Sequence, residues 1–402
     1  MRHLGTKTLA DAFHIMITDI QAGGLQPTKP DHLKIRRVRR GAGFAYVKAN
    51  GRPIRQRKTI RRLESLAVPP AYHDTRFATN SRAHIQAVGR DRAGRLQYRY
   101  HPDWERIREL RKTRRLAKLI DLMHGIRRSI TKLLKQTEID RDFAAAALVD
   151  LIAYTAIRPG SETYVRERGT RGAATLLKRH IQIKDNEIAL RFPGKGGKHV
   201  EKVCRSKRLA RTIRRLQKLP GNRLFQYVSD DGSVRRLRRR DANAFLCEIT
   251  NKQISLKDFR TLSACSQALA YLSRLDPKPS QRGKRAQVKS ALREVASELA
   301  NTPAVCKRSY VHALVIGAFE TGRLKKLTPN CGLNGGTFGG HRLLKKILRS
   351  ASAFPAHQPR RSSCPSTQLF ISSASSSLAL RLSLPPSHWW RSNPGCAARH
   401  AQ

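Results

Sequence analysis

Residues 301–312 read Asn301-Thr302-Pro303-Ala304-Val305-Cys306-Lys307-Arg308-Ser309-Tyr310-Val311-His312. Tyr310 follows a Lys-Arg pair and stands at the start of an apolar run with helical spacing. Free phenol ionises near pH 10, so only a fraction of a percent is phenolate near neutrality. Neighbouring cations that also grip a phosphate can favour the ionised oxygen during attack, which makes Tyr310 a candidate nucleophile toward phosphorus. A tyrosine beside basic residues is more often a surface or half-core side chain. Three other clusters decide between these readings.

Ile157-Arg158-Pro159-Gly160-Ser161-Glu162 puts an arginine where the dense apolar helix of residues 143–157 ends at a proline. Lys257-Asp258-Phe259-Arg260-Thr261 puts a second arginine in the first turn of another helix. Phe192-Pro193-Gly194-Lys195-Gly196-Gly197-Lys198 puts a lysine on a glycine-flanked hairpin tip that can approach a backbone closely. Each has a plainer reading: an ion-paired arginine in the first two, a solvated loop lysine in the third. The glycine-rich tip lacks the G-x-x-x-x-G-K-[ST] spacing of a nucleotide-binding loop.

Outward from these clusters, the alternation Gly43–Val47 followed by Asn50-Gly51 predicts a hairpin, and His84–Val88, a turn at 89–95 and Leu96–Tyr100 predict another. A short basic helix, Lys58–Leu66, lies between them. Helical periodicity takes over from Trp104, with helices expected at 116–134, 143–157, 207–216, 240–250, 259–272, 287–299 and 311–319. A three-stranded element interrupts them at 181–203. The fold class is therefore α+β: a small basic mixed α/β N-terminal domain and a mostly α-helical domain with a three-stranded β insert. The expected divisions are an extension (1–33), an N-terminal domain (34–115), a helical domain (116–327) and a basic tail (328–402). All 28 acidic residues fall within the first 320 positions. The tail is rich in Ser, Pro and Arg without periodicity, and reads as lacking a fixed fold or as translated out of frame.

Composition limits the partner. With 81 Lys+Arg against 28 Asp+Glu, the 402-residue chain has a formal charge of +53. Such a field repels itself unless a polyanion neutralises it. Nucleic acid does so with release of condensed counterions. No run of about 18 apolar residues and no signal-peptide core is present, so neither membrane nor export is expected. The seven cysteines are scattered and never form C-x-x-C, which speaks against a zinc site and for reduced thiols in a cytoplasmic protein.

The four clusters, in this order, resemble the type IB DNA topoisomerases of the poxvirus and bacterial kind. The resemblance covers about residues 35–325 and extends to Leu66-Ala67-Val68-Pro69-Pro70-Ala71, His84-Ile85-Gln86-Ala87, Gly89-Arg90-Asp91 and Gln97-Tyr98-Arg99-Tyr100-His101-Pro102. It implies the catalytic fold shared by tyrosine recombinases and these topoisomerases. It further implies relaxation of duplex DNA without ATP, metal or other cofactor, by a nucleoid-associated enzyme that nothing requires to be more than a monomeric clamp. Tyr310 would form a 3′-phosphotyrosyl bond. Arg158 and Arg260 would hold the non-bridging oxygens, and Lys195 would protonate the leaving 5′ oxygen. Gln97, Tyr98 and Tyr100 would face bases and sugars, with Arg90, Arg95, Arg99, Lys198, Lys307 and Arg308 at phosphates.

Three features depart from the family pattern. Asn301 stands where many members carry a histidine, and its amide would donate to a non-bridging oxygen. Pro159 follows the first arginine and would disfavour helical geometry at Arg158, mis-aiming it. Leu262-Ser263-Ala264-Cys265 is atypical. A tyrosine recombinase shares the chemistry, although Lys257 in the second arginine motif favours the topoisomerase. A non-catalytic architectural DNA-binding protein is the alternative from another class.

Overall fold

In the computed structural model, which describes residues 16–327 and 337–349, the first hairpin turns earlier than Asn50-Gly51. Strand β1 (Ile35–Arg40) pairs antiparallel with β2 (Gly43–Val47) across Gly41-Ala42. Asn50-Gly51 does form a tight turn, with the Gly51 amide donating to the Lys48 carbonyl at 3.0 Å. The returning chain, however, makes only the single bridge Val47–Pro53. Proline has no N–H with which to extend the ladder. Strands β3 (His73–Phe77), β4 (Ile85–Arg90) and β5 (Leu96–Tyr100) complete an antiparallel sheet of order β2-β1-β3-β4-β5. The β4–β5 hairpin lies where the alternation puts it. Asp91 closes its turn, Oδ1 accepting from the amides of Ala93 and Arg95. The helix expected at 58–66 is Arg57–Ser65, and its Leu63 packs on Ile35, Tyr46, Phe77 and Ala87.

The sheet leads directly into a helix of 32 residues, Pro102–Leu133, about 48 Å long at 1.5 Å per residue. His101 caps it by accepting from the Asp103 amide. The helix runs without a break through residue 115. Its first turns bury Trp104 and Ile107 against Ile20 and Leu25. From Leu116 onward, Leu119, Met123, Ile126 and Ile130 join the large core of the helical part.

That core is built on the helix Arg141–Thr155, in which every residue from Phe143 to Ile152 is buried. Its one buried acid, Asp150, accepts two hydrogen bonds from Arg208. Around it stand the helices Lys207–Lys218, Arg239–Thr250, Leu256–Leu272, Gln281–Glu298, Pro303–Ser309 and Ala313–Glu320. The insert is the antiparallel sheet β6 (Ile181–Lys184), β7 (Glu187–Pro193) and β8 (His199–Arg205). A hairpin of β9 (Gln226–Val228) and β10 (Val234–Arg236), turning at Gly232, was not expected. The fold is thus α+β as the sequence implies. Among the described residues no helix is long and apolar enough to cross a membrane.

One expectation is corrected. The segment from residue 328 was read as lacking a fixed fold, yet Thr337–Arg349 is a helix that packs on Leu256–Leu272 and Pro102–Leu133. It buries Leu343, Leu344, Ile347 and Leu348, an i, i+1, i+4, i+5 stripe that suffices for docking despite the acid-free composition. The remainder of 328–402, and residues 1–15 of the extension, lie outside the described residues.

Candidate active site

The buried helix ends at Thr155, because Ala156 adopts the left-handed conformation (φ 51°) and caps it. Arg158 therefore lies three residues beyond the helix, outside any helix or strand, and Pro159 interrupts neither. The helical geometry that Pro159 was expected to disturb at Arg158 is thus absent there. The segment is pinned along residues 172–175: the Arg158 carbonyl accepts from Ala173 at 2.8 Å and that of Pro159 from Ala174 at 2.9 Å. Gly172 makes this approach possible, since a Cβ there would meet the Arg158 carbonyl and come within 2.5 Å of the Gly160 nitrogen. The hairpin tip bearing Lys195 is tied to the same segment by the Arg171 amide, which donates to the Pro193 carbonyl at 2.8 Å. Gly196 and Gly197, at φ 77° and 75°, make the turn that presents Lys195, which is exposed.

Arg260 comes from the other side. The Asp258 carboxylate caps the helix Leu256–Leu272 by accepting from both the amide and the hydroxyl of Ser255, so it starts before Phe259 and buries Arg260 to 2% exposure. Its guanidinium donates to the carbonyls of Ala156 and Leu299, the latter at 3.2 Å. The half-buried Arg158 donates to the carbonyl of Ala300 at 3.3 Å and to Oδ1 of Asn301. Both arginines are thus anchored on carbonyls where helices Arg141–Thr155 and Gln281–Glu298 end. Such carbonyls carry the negative end of the helix dipole. They hold a cation in place without cancelling its charge as a carboxylate would. Among the described residues neither guanidinium makes an ion pair with an acid. Burial lowers the Arg260 pKa from its ordinary value, and the nearby Tyr310 phenol opposes that shift. Its Nε–H is buried with no acceptor.

Tyr310 is not at the start of a helix, as expected, but in the junction between Pro303–Ser309 and Ala313–Glu320, with φ −122° and ψ −54°. The first of these short helices was missed in the sequence, although Thr302 caps it and Pro303 opens it. The half-buried phenol ring lies 5.2 Å from the Arg260 guanidinium carbon. Tyr310, Arg158, Arg260 and Lys195 line one cleft of about 290 Å³. Tyr164, Arg168, Arg171, Arg239 and Lys257 line it as well. Apart from Lys257, part of the second arginine motif, these are not signalled by the motifs above, although the basic stretch 166–171, at the end of the helix Glu162–Arg168 and beyond its Gly169 cap, is a usable signal.

Other expected residues lie elsewhere. Asn301 does not line the cleft; it accepts from Arg158 and so orients that side chain. Arg308 lines a neighbouring cleft of about 360 Å³ with Trp104, Arg111, Lys112 and Arg115. Lys198 and Lys307 are exposed beside the site residues, on the hairpin tip and the short helix respectively. On β5, Tyr98 and Tyr100 are 39% and 36% exposed and stack on each other at 5.7 Å. Gln97 and Arg95 both donate to Asp91, Arg90 to the Gly94 carbonyl and Arg99 to the Ala67 carbonyl. Arg90, Arg95 and Gln97 are therefore held against the hairpin, and Arg99 against the loop that follows the helix Arg57–Ser65. Among the described residues, no three His, Cys, Asp or Glu side chains come together as a metal-binding group.

A helical core with a three-stranded insert, gathering a phenol, two unneutralised guanidiniums and a lysine in a basic cleft, defines a class of phosphoryl-transfer protein. Comparison with known proteins narrows it. The family model for the eukaryotic DNA topoisomerase I catalytic core matches residues 102–325, and that for the bacterial DNA topoisomerase IB N-terminal domain matches 43–91. DNA topoisomerase 1B of Acanthamoeba polyphaga mimivirus is 31% identical over 291 residues, covering 69% of this chain and 84% of that protein. DNA topoisomerase 1B of vaccinia virus is 26% identical over 236 residues, covering 57% and 70%. A solved XerH site-specific recombinase matches with a TM-score of 0.32 and 15% identity over 52% of this chain and 51% of that one, too loose a likeness to bear on the reaction. The chain belongs to the type IB DNA topoisomerase family.

Proposed function

We propose that the protein relaxes supercoiled duplex DNA by cutting one strand through Tyr310, letting the broken end rotate, and resealing it. The phenolic oxygen forms a bond to phosphorus as the bond to the 5′ oxygen breaks, leaving a 3′-phosphotyrosyl link. The phenol's proton passes to solvent, and Lys195 gives the leaving 5′ oxygen its proton. Religation is the reverse, and the bond energy stored in the phosphotyrosyl link makes ATP unnecessary. Arg158 and Arg260 hold the non-bridging oxygens, where negative charge grows during attack. The buried Nε–H of Arg260 is a donor left over for one of them, and planar guanidiniums suit this geometry. Lys195 is exposed in the DNA-free protein, so its desolvation comes from the docked duplex.

The N-terminal sheet would form the second jaw of a monomeric clamp whose two domains meet along the helix Pro102–Leu133. The exposed Tyr98–Tyr100 stack would meet bases or sugars there. Lys198, Lys307, Arg308, Arg171 and Arg239 would contact phosphates. The site of action is the cytoplasmic nucleoid, in keeping with the charge of +53.

The observation that carries this reading is the convergence of Tyr310, Arg158, Lys195 and Arg260 on one cleft. The test is relaxation of supercoiled plasmid in EDTA without ATP, wild type against Tyr310→Phe. Activity in the wild type alone supports the reading. Equal activity in both moves the nucleophile elsewhere, and none in either makes the protein a non-catalytic DNA binder.

A further inference from the structure

Residues 310–312 follow the helix Pro303–Ser309, and the amides of Tyr310 and Val311 both donate to the Cys306 carbonyl, at 3.0 and 2.8 Å; these bonds leave the Tyr310 carbonyl and the His312 amide to be held by other groups. Two side chains from neighbouring helices grip this junction. The fully buried thiol of Cys265 donates to the Tyr310 carbonyl at 3.3 Å and accepts from the His312 amide at 3.3 Å. The buried His312 ring meets Thr113 Oγ1 at 2.7 Å through Nε2, and its Nδ1 accepts from the Leu314 amide. Since Nδ1 accepts, Nε2 carries the proton and donates to Thr113, whose hydroxyl donates onward to the Glu109 carbonyl. Lys112 also reaches the Val311 carbonyl, at 3.4 Å.

Cys265 sits on the same helix as Arg260, five residues further along. One rigid element therefore carries a phosphate-binding cation and fixes the backbone of the attacking residue, about 7.5 Å apart along the axis at 1.5 Å per residue. Burial pushes the thiol up to about 11, so it stays protonated and able to donate.

We propose that Cys265 is a positioning residue for the nucleophile: its two hydrogen bonds hold residues 310–312 so that the phenol keeps its distance from the Arg260 guanidinium. The inference rests on Tyr310 being the nucleophile. A misplacement of about 1 Å can cost as much as 100-fold in rate, so losing a tie of this kind should be visible kinetically while DNA binding is untouched.

The test is single-turnover formation of the covalent adduct by the full chain on a duplex whose leaving strand is short enough to dissociate. Cys265→Ala and the near-isosteric Cys265→Val should each slow cleavage about 10-fold or more, with religation slowed in parallel and DNA affinity within twofold of wild type. Cys265→Ser retains a donor and an acceptor and should cleave within about threefold of wild type. Wild-type rates for the Ala and Val variants would overturn the proposal. So would a Ser variant no faster than Ala, which would make the effect one of packing. Should Ala and Val fail to fold, amide exchange on the unaltered protein decides: the His312 amide must be strongly protected, and exchange at the rate of an open loop refutes the tie. Adduct formation by Tyr310→Phe would instead remove the nucleophile assignment, a failure separable from wild-type cleavage by Cys265→Ala with an inert Tyr310→Phe.

Discussion

Substituting Gly172 by alanine tests whether the backbone approach beside Arg158 sets the reactive geometry. Gly172 lies at φ −156° and ψ −176°, extended backbone that alanine adopts freely, so the substitution adds bulk without adding torsional strain. The new Cβ would stand 2.5 Å from the Gly160 nitrogen and 2.7 Å from its Cα, where ordinary contact begins near 3.4 Å. These neighbours are backbone atoms, which cannot rotate away as a side-chain end would. The 158–160 and 172–175 segments must part by about 1 Å, stretching the hydrogen bonds from Ala173 and Ala174. Overpacking of this kind costs about 1–3 kcal/mol of stability, which a domain of this size survives. Arg158 moves with its backbone, and a shift of about 1 Å at a phosphate-binding group corresponds to about 100-fold in cleavage rate. The assay is single-turnover cleavage alongside thermal unfolding and DNA affinity. A Gly172→Ala protein that stays folded, binds DNA normally and cleaves at the wild-type rate would refute the view that this contact aims Arg158.

Arg260→Lys keeps a charge but cannot span the Ala156 and Leu299 carbonyls and still present a donor to phosphate. Cleavage should fall about 100-fold or more with little change in DNA affinity, read by adduct formation in one turnover. Burial holds the His312 and His341 pKa values at about 4, below the unfolded value near 6.5. The unfolded chain therefore binds more protons between these limits. Stability present above pH 6.5 is lost as pH falls toward 4, by about 3 kcal/mol for His312. Urea unfolding at pH 7 and pH 4.5 should differ accordingly, and His312→Gln should flatten the dependence. Leu344, fully buried in the helix Thr337–Arg349, should cost about 2–5 kcal/mol on change to alanine. A change under about 0.5 kcal/mol would mean that this helix does not dock.

Elements whose signal is local were legible. The β4–β5 hairpin and the β6–β8 insert follow from alternation and turn residues, and most expected helices appear within a few residues of their bounds, although that expected at 116–134 starts at Pro102 and that at 287–299 starts at Gln281. What escaped the sequence depends on distant chain. Pro159 looked like the residue that ends the helix and endangers Arg158, whereas Ala156 had already ended it in a conformation that nothing local signals. The β1–β2 turn falls at Gly41-Ala42 because Pro53 spoils the better-looking alternative. The helix at 337–349 was hidden by averaging composition over the whole tail. At the site, the four chemical residues were found by their resemblance to a family. Their supports were not: Gly172, Cys265, Thr113 and the carbonyls at 156, 299 and 300 matter only through partners distant in the chain, from the Gly160 neighbour of Gly172 to the His312 partner of Thr113. The hydrogen bond that Asn301 accepts from Arg158 could be seen only in three dimensions.

Anchoring both guanidiniums on main-chain oxygens alters what kind of genetic change the enzyme tolerates. A carbonyl survives any replacement of its own side chain, so point substitutions at 156, 299 or 300 leave the acceptors in being. A deletion or insertion is another matter. One residue gained or lost between Ile152 and Arg158 would carry the Ala156 oxygen away from Arg260, and one between Val295 and Asn301 would displace the oxygens that hold both cations. The reactive geometry is therefore written in segment length as much as in residue identity, and libraries that vary loop length there should yield far more inactive, folded protein than libraries that vary only the letters.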